Sequence, residues 1–282
     1  MGRRLIIAAM LLAVPIGAYA TGTEQASPAA AQVARYHGVL IRVPDLARAR
    51  SFYVETLGFS EERVSDNLIR LVDDSPIYLE QAIGPLRPPD VDEARSAIAF
   101  KVRDIQATAR RLREAGVEFL SEEPFQVAVG LAMRIRDPFG NIHSLLQPTL
   151  GSVPAFTEPA VYNSGLKNAD ADTAPLRSLF AGLGMVVLTE RYFPPSLPIG
   201  HGDRSFAFML HENEPGEPEI RARGEPGTAA VSLVFSTEDL QAASRVVGNG
   251  EAVPFALGRR LRATIPSGLP IEIWQMSAVP RR

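Results

Sequence analysis

The chain has 282 residues, 46% hydrophobic and 22% charged, the balance of a globular protein with a packed core. Its net charge of −3 and pI near 5.9 leave no basic footprint, so nucleic acid is not an expected partner. With no cysteine, disulfides, thiolate metal sites and a cysteine nucleophile are excluded.

The first element is not part of the fold. Gly2-Arg3-Arg4 is a short basic start, Leu5 to Ala18 an apolar run, and Ala18-Tyr19-Ala20 meets the small-x-small rule for cleavage. This predicts a signal peptide over 1–20, cut near Ala20, and a periplasmic or secreted protein. The apolar run is shorter than the roughly 20 residues that cross a bilayer. An uncleaved anchor is the alternative. Residues 21–32, rich in Ala with Ser, Thr and Pro, predict a flexible leader. No later apolar run reaches membrane length, so no stable span is expected after cleavage.

From there the chain repeats itself four times. The segments VLIRVPDLARARSFYVETLGF (39–59), IAFKVRDIQATARRLREAGVEF (98–119), LKNADADTAPLRSLFAGLGMVV (166–187) and VSLVFSTEDLQAASRVVGNGEAV (231–253) each read as strand, acidic helix start, helix, glycine and second strand. Asp45, Asp104, Asp172 and Asp239 suit helix N-caps, and Gly58, Gly116, Gly184 and Gly250 suit helix ends. Alternation puts Val39, Ile41 and Val43 on one face of the first strand and Gly38, Leu40 and Arg42 on the other. In the second unit Ile98, Phe100 and Val102 repeat the first set, and Ala97, Ala99 and Lys101 the second. Further strands are expected at 67–72, 77–81, 131–136, 142–147, 205–210, 261–265 and 271–275. The proline-rich stretch 148–159 reads as a linker between two pairs of units.

Val43-Pro44-Asp45-Leu46, Ser51-Phe52-Tyr53, Leu57-Gly58-Phe59 and the turn Asp137-Pro138-Phe139-Gly140-Asn141 resemble the vicinal oxygen chelate superfamily, which includes glyoxalase I, extradiol dioxygenases and bleomycin-resistance proteins. The segment 265–274 looks like a second copy of the closing hairpin. The resemblance implies an α+β fold with two tandem domains, at 33–150 and 157–277 with a linker at 151–156. Each would pair βαβββ modules into a curved, cup-like mixed sheet with helices on the outer face. It also implies a divalent metal held by His and Glu from four strands, acting as a Lewis acid.

Set on this sequence, the first ligand position falls at Gly38, its counterpart in the second unit at Ala97, and the closing glutamate at Ser144. Glu80 is the one residue of the first half placed to match the remaining carboxylate. The second half offers Asn163, Ala230 and Glu272. Too few of these bind a metal, so no cofactor is expected, and a metal-dependent lyase or ring-cleaving dioxygenase with atypical ligands is the alternative.

Ligand binding is expected instead from Arg42, Lys101, Glu80, Ser144, Gly38, Ala97, Glu272 and Trp274. Arg42 and Lys101 sit four residues after the vacated positions and suit a carboxylate or phosphate, or else pair with a neighbour such as Glu80. Gly38, Ala97, Ala99 and Ser144 leave volume for an apolar group. Glu272 and Trp274 share a face, where Trp274 suits a planar ligand and Glu272 a hydrogen bond, or else Trp274 lies at the core edge. His37 and His143 each precede a vacated position, so alternation turns both away from the cup unless a bulge intervenes. His201, His211, Glu212 and Glu214 read as a solvated loop. The expected function is an exported protein that binds a small anionic or amphipathic molecule, with a homodimer as a further possibility of the resemblance.

Overall fold

The structure, a computed structural model, describes residues 32–86, 96–127, 129–149, 156–168, 173–189, 196–212, 231–248, 250, 252–264 and 270–277. The expected signal peptide, nearly all of the leader, most of the linker and the second closing turn at 265–269 lie outside them, as do Glu214 and Ala230.

The first unit runs β1 (Arg35–Val43), α1 (Leu46–Arg50), β2 (Glu61–Ser65), β3 (Leu68–Leu71) and β4 (Ile77–Gln81). Its helix continues past Arg50 in wider turns over Ser51–Thr56, where the Leu57 amide donates to the Phe52 carbonyl. The second holds β5 (Ser96–Lys101), α2 (Ile105–Glu114), β6 (Glu118–Phe119), β7 (Phe125–Val127), β8 (Gly130–Arg136) and β9 (Ile142–Pro148). The third holds β10 (Ala160–Asn168), α3 (Thr173–Gly182), β11 (Val186–Val187), β12 (Ser196–Gly200) and β13 (Phe206–Glu212). The fourth holds β14 (Val231–Ser236), α4 (Leu240–Val247), β15 (Ala252–Phe255), β16 (Gly258–Thr264) and β17 (Pro270–Met276).

The capping aspartates act as the spacing predicts. Asp45, Asp104 and Asp239 each accept a hydrogen bond from the amide three residues on, satisfying a donor the helix leaves unused. Gly58, Gly116 and Gly184 follow their helices with φ of 97°, 78° and 85°, a conformation only glycine takes at little cost. The fourth helix stops earlier than expected. Gly248, with φ 80°, ends it two residues before Gly250.

The units assemble into two curved mixed sheets, and their partners are not chain neighbours. One sheet has the order β15-β16-β17-β14-β1-β4-β3-β2, so unit one joins unit four through antiparallel β1 and β14. The other has the order β11-β12-β13-β10-β5-β9-β8-β6, joining units two and three through β5 and β10. The halves of the sequence therefore do not each close a cup of their own. We call the two sheets the outer-pair sheet and the inner-pair sheet.

All four helices lie on the convex faces, and those faces share one core. It takes Val39, Ile41 and Val43 from β1, Ile98 and Phe100 from β5, Phe208 and Leu210 from β13, and Leu233 and Phe235 from β14. Tyr36 bridges the sheets, with ring centroids 5.6 Å from Phe208 and 6.0 Å from Phe235. Beneath it the turn at 137–141 is fixed by one carboxylate. Asp137 accepts from the amides of Phe139 and Asn141, the Asn141 side chain and the Tyr53 hydroxyl. Burial opposes its charge, but His143, Asn141 and Tyr53 together hold the carboxyl below its usual range.

Candidate functional site

The two concave faces differ in what fills them. In the outer-pair sheet Leu40, Leu68, Tyr78, Val234 and Trp274 form a small apolar cluster of their own, with Val64, Phe255 and Leu257 packed against it. Trp274 is fully buried, its ring 4.7 Å from Tyr78 and 4.8 Å from Phe255, so neighbours already enclose it.

Beside that cluster lies an ion network. Arg42 pairs with Glu80 at 3.2 Å and with Glu272, and its Nη1 donates to Ser232 Oγ at 3.3 Å. Arg260 Nη1 reaches Glu80 Oε1 at 2.5 Å and Glu272 Oε2 at 3.6 Å. Arg262 Nε donates to Glu272 Oε1 at 3.2 Å, and Trp274 Nε1 to Oε2 at 2.8 Å. Side-chain exposure is 3% for Arg42, 1% for Glu272 and 7% for Arg260, but 31% for Arg262. Burial draws the Arg42 guanidinium down to about 10, with Arg262 and Arg260 adding to it against Glu80. It remains a cation at neutral pH. Glu272 is fully enclosed.

Three expectations need correction here. Gly38 leaves no volume in the cup, because a Cβ there would collide with the Pro76 carbonyl oxygen. His37 does not turn away. The β1–β14 register shifts between Tyr36 and Gly38, and this bulge swings His37 onto the concave side, where Nε2 lies 2.8 Å from the Tyr78 hydroxyl. His143, by contrast, points into the convex core, 2.8 Å from the Tyr53 hydroxyl and tilted against Phe100. Third, Arg42 and Lys101 do not share a cup, since Arg42 belongs to the outer-pair sheet and Lys101 to the other.

The inner-pair sheet presents smaller side chains. Ala97 pairs with Gly165 and Ala99 with Asn163 on one side, and Ala99 with Ser144 on the other. Ala99, Ser144 and Asn163 are partly exposed, while Ala132, Leu146 and Met209 supply a buried apolar wall. Two cations share this face. Lys101 Nζ lies 4.4 Å from the centre of the Phe156 ring, and Arg134, opposite Ser144, lies 5.7 Å from that of Phe125. Among the described residues, neither is paired with a carboxylate.

Residues 35–144 match the model of the Glyoxalase/Bleomycin resistance protein/Dioxygenase superfamily. The match spans units one and two, under half of the chain. A search of curated proteins returns no match. Among solved structures the chain is similar to glyoxalase I from Zea mays, at 17% identity over 86% of this chain and 92% of that one, with a TM-score of 0.59. It is also similar to a protein described as a candidate dioxygenase from Bacillus subtilis subsp. subtilis strain 168, at 13% identity over 86% of both chains, with a TM-score of 0.55. At these identities the likeness is one of fold.

The superfamily fold raises the question of a metal, and strand register answers which residues would meet it. Leu40 and Val234 each stand five residues before a capping aspartate and pair with Tyr78 and Glu272, so those two are counterparts. By the same count Ser232, rather than Ala230, is the counterpart of Gly38. The outer-pair positions are thus Gly38, Tyr78, Ser232 and Glu272. Glu80 lies two residues beyond its expected place. In the inner-pair sheet the positions are Ala97, Ser144, Asn163 and Met209. One carboxylate in eight positions, already held by three arginines and an indole, does not fit a divalent ion. Among the described residues no group of three or more His, Asp or Glu side chains is placed to hold one. No helix among them is long and apolar enough to cross a membrane.

Proposed function

We propose that the protein is an exported, small-molecule-binding member of the glyoxalase superfamily, and that its ligand occupies the inner-pair cup. One observation carries this reading. The outer-pair cup is packed by its own aromatic residues and ion network, whereas the inner-pair cup has a floor of Ala99, Ser144 and Asn163 that stays partly exposed. A ligand there meets an apolar wall at Ala132, Leu146 and Met209 and two cations at Lys101 and Arg134. That combination suits an amphipathic molecule with a carboxylate or phosphate head. The basic start and apolar run of residues 2–18 support export.

Benzoate and decanoate are suitable probes. In a thermal-shift titration at fixed ionic strength, one or both should raise the Tm of the wild type saturably. Lys101→Ala and Arg134→Ala should weaken that response. A response undiminished in both variants, or absent from the wild type, would remove this cup as the binding site.

A further inference from the structure

The outer-pair cup holds more positive than negative charge among the described residues on its concave side. Three guanidiniums, of Arg42, Arg260 and Arg262, face two carboxylates, of Glu80 and Glu272, while Arg70 on the same face is paired with Glu62 at 3.1 Å. Both carboxylates are engaged within the network. Glu272 accepts from Arg42, Arg262 and Trp274, and Glu80 accepts from Arg260 while ion-paired with Arg42. Some of the donors are not. Arg260 Nε is buried with no hydrogen-bond partner, and Arg262 gives only its Nε to Glu272. Arg262 is the most exposed member of the network, at 31% side-chain exposure against 13% for Glu80. Arg70, another concave-side arginine of this sheet, likewise has a buried Nε without a partner.

From this geometry we infer a second binding site, at Arg262 and Arg260 in the outer-pair cup, for a small monovalent or divalent oxyanion such as a carboxylate, sulfate or phosphate. The charge of the cup is inverted relative to a metal site: its carboxylates are internally neutralised, and what it presents to solvent is a guanidinium edge. That edge supplies paired N–H donors with the spacing of an oxyanion. An anion bound there offsets the repulsion among three guanidiniums, whose enclosure by low-dielectric neighbours leaves it poorly screened. A divalent cation meets the opposite field. This site is separate from the one at Lys101 and Arg134 and does not depend on it.

Titration of the full chain with inorganic phosphate and, separately, sulfate tests the inference, with chloride at matched ionic strength as reference and the Tm and calorimetric Kd as readouts. The wild type should show saturable stabilisation by at least one oxyanion beyond that of chloride. Arg262→Gln, which keeps an N–H donor at this position, should raise the apparent Kd by roughly tenfold or more, the loss of one charge-assisted contact. Lys101→Ala should leave it within about twofold, which separates this site from the inner-pair cup. The inference is overturned if neither oxyanion acts beyond chloride, if Arg262→Gln responds as the wild type does, or if Lys101→Ala abolishes the response. Stoichiometric Mn²⁺ binding with loss in Glu272→Gln would overturn it as well.

Discussion

At Arg42 two carboxylates and a serine hydroxyl converge on one guanidinium that scarcely reaches water. A pair buried this way contributes little over an apolar replacement, but removing one partner leaves charge stranded in a poor solvent. Arg42→Met should therefore cost about 3–5 kcal/mol, because Glu80 and Glu272 lose the cation between them. Urea unfolding of the purified variant measures this, and a loss below roughly 1 kcal/mol would show that Arg260 and Arg262 compensate fully. Alternation put Glu272 and Trp274 on one face, and the pairing of Arg42 with Glu80 was one of the readings the sequence offered for Arg42. The sequence did not join these two pairs, since residues 42 and 272 meet only through the β1–β14 and β14–β17 pairings.

Among the elements, helix boundaries were the most legible, because a capping aspartate and a left-handed glycine act within a few residues of themselves. Strand β4 matches its expected bounds, and β9 extends its own by one residue. The bulge in β1 was not legible. It lies in the pairing of β1 with β14, a contact between distant strands that no local pattern reports. The consequence is a titratable ring on the concave side. Burial, and next the charge of Arg70, lowers the His37 pKa below its free value. A depressed histidine binds its proton less readily folded than unfolded, so its stabilising share is complete above about pH 6.5 and is lost as pH falls through the folded value. Between about pH 8 and pH 5 the urea midpoint of the wild type should fall more steeply than that of His37→Phe. His201, also depressed by burial, is common to both and cancels. Equal slopes would mean that His37 titrates normally.

In the whole molecule, the fold class was legible from the fourfold repeat, whereas the partnership of the units was not. All four carry the same strand-and-helix pattern, so the sequence supplies four similar half-cups with no local mark of which joins which. The choice rests on the shared convex core, where Tyr36 of unit one meets Phe208 of unit three and Phe235 of unit four. Packing among distant side chains settles it.

That nesting of one pair of units inside the other also sets a timetable. On the ribosome, units two and three emerge consecutively and can zip β5 to β10 at once. Strand β1, made first, has its central-strand partner β14 almost two hundred residues downstream. Its edge must stay unpaired, or find a substitute, until the fourth unit is out. Pulse-labelled hydrogen exchange during refolding should show β5 and β10 protected before β1 and β14. Simultaneous protection would mean that the convex core condenses as one unit. The newborn chain is then most exposed to misassembly at β1, whose partner arrives last of the four units.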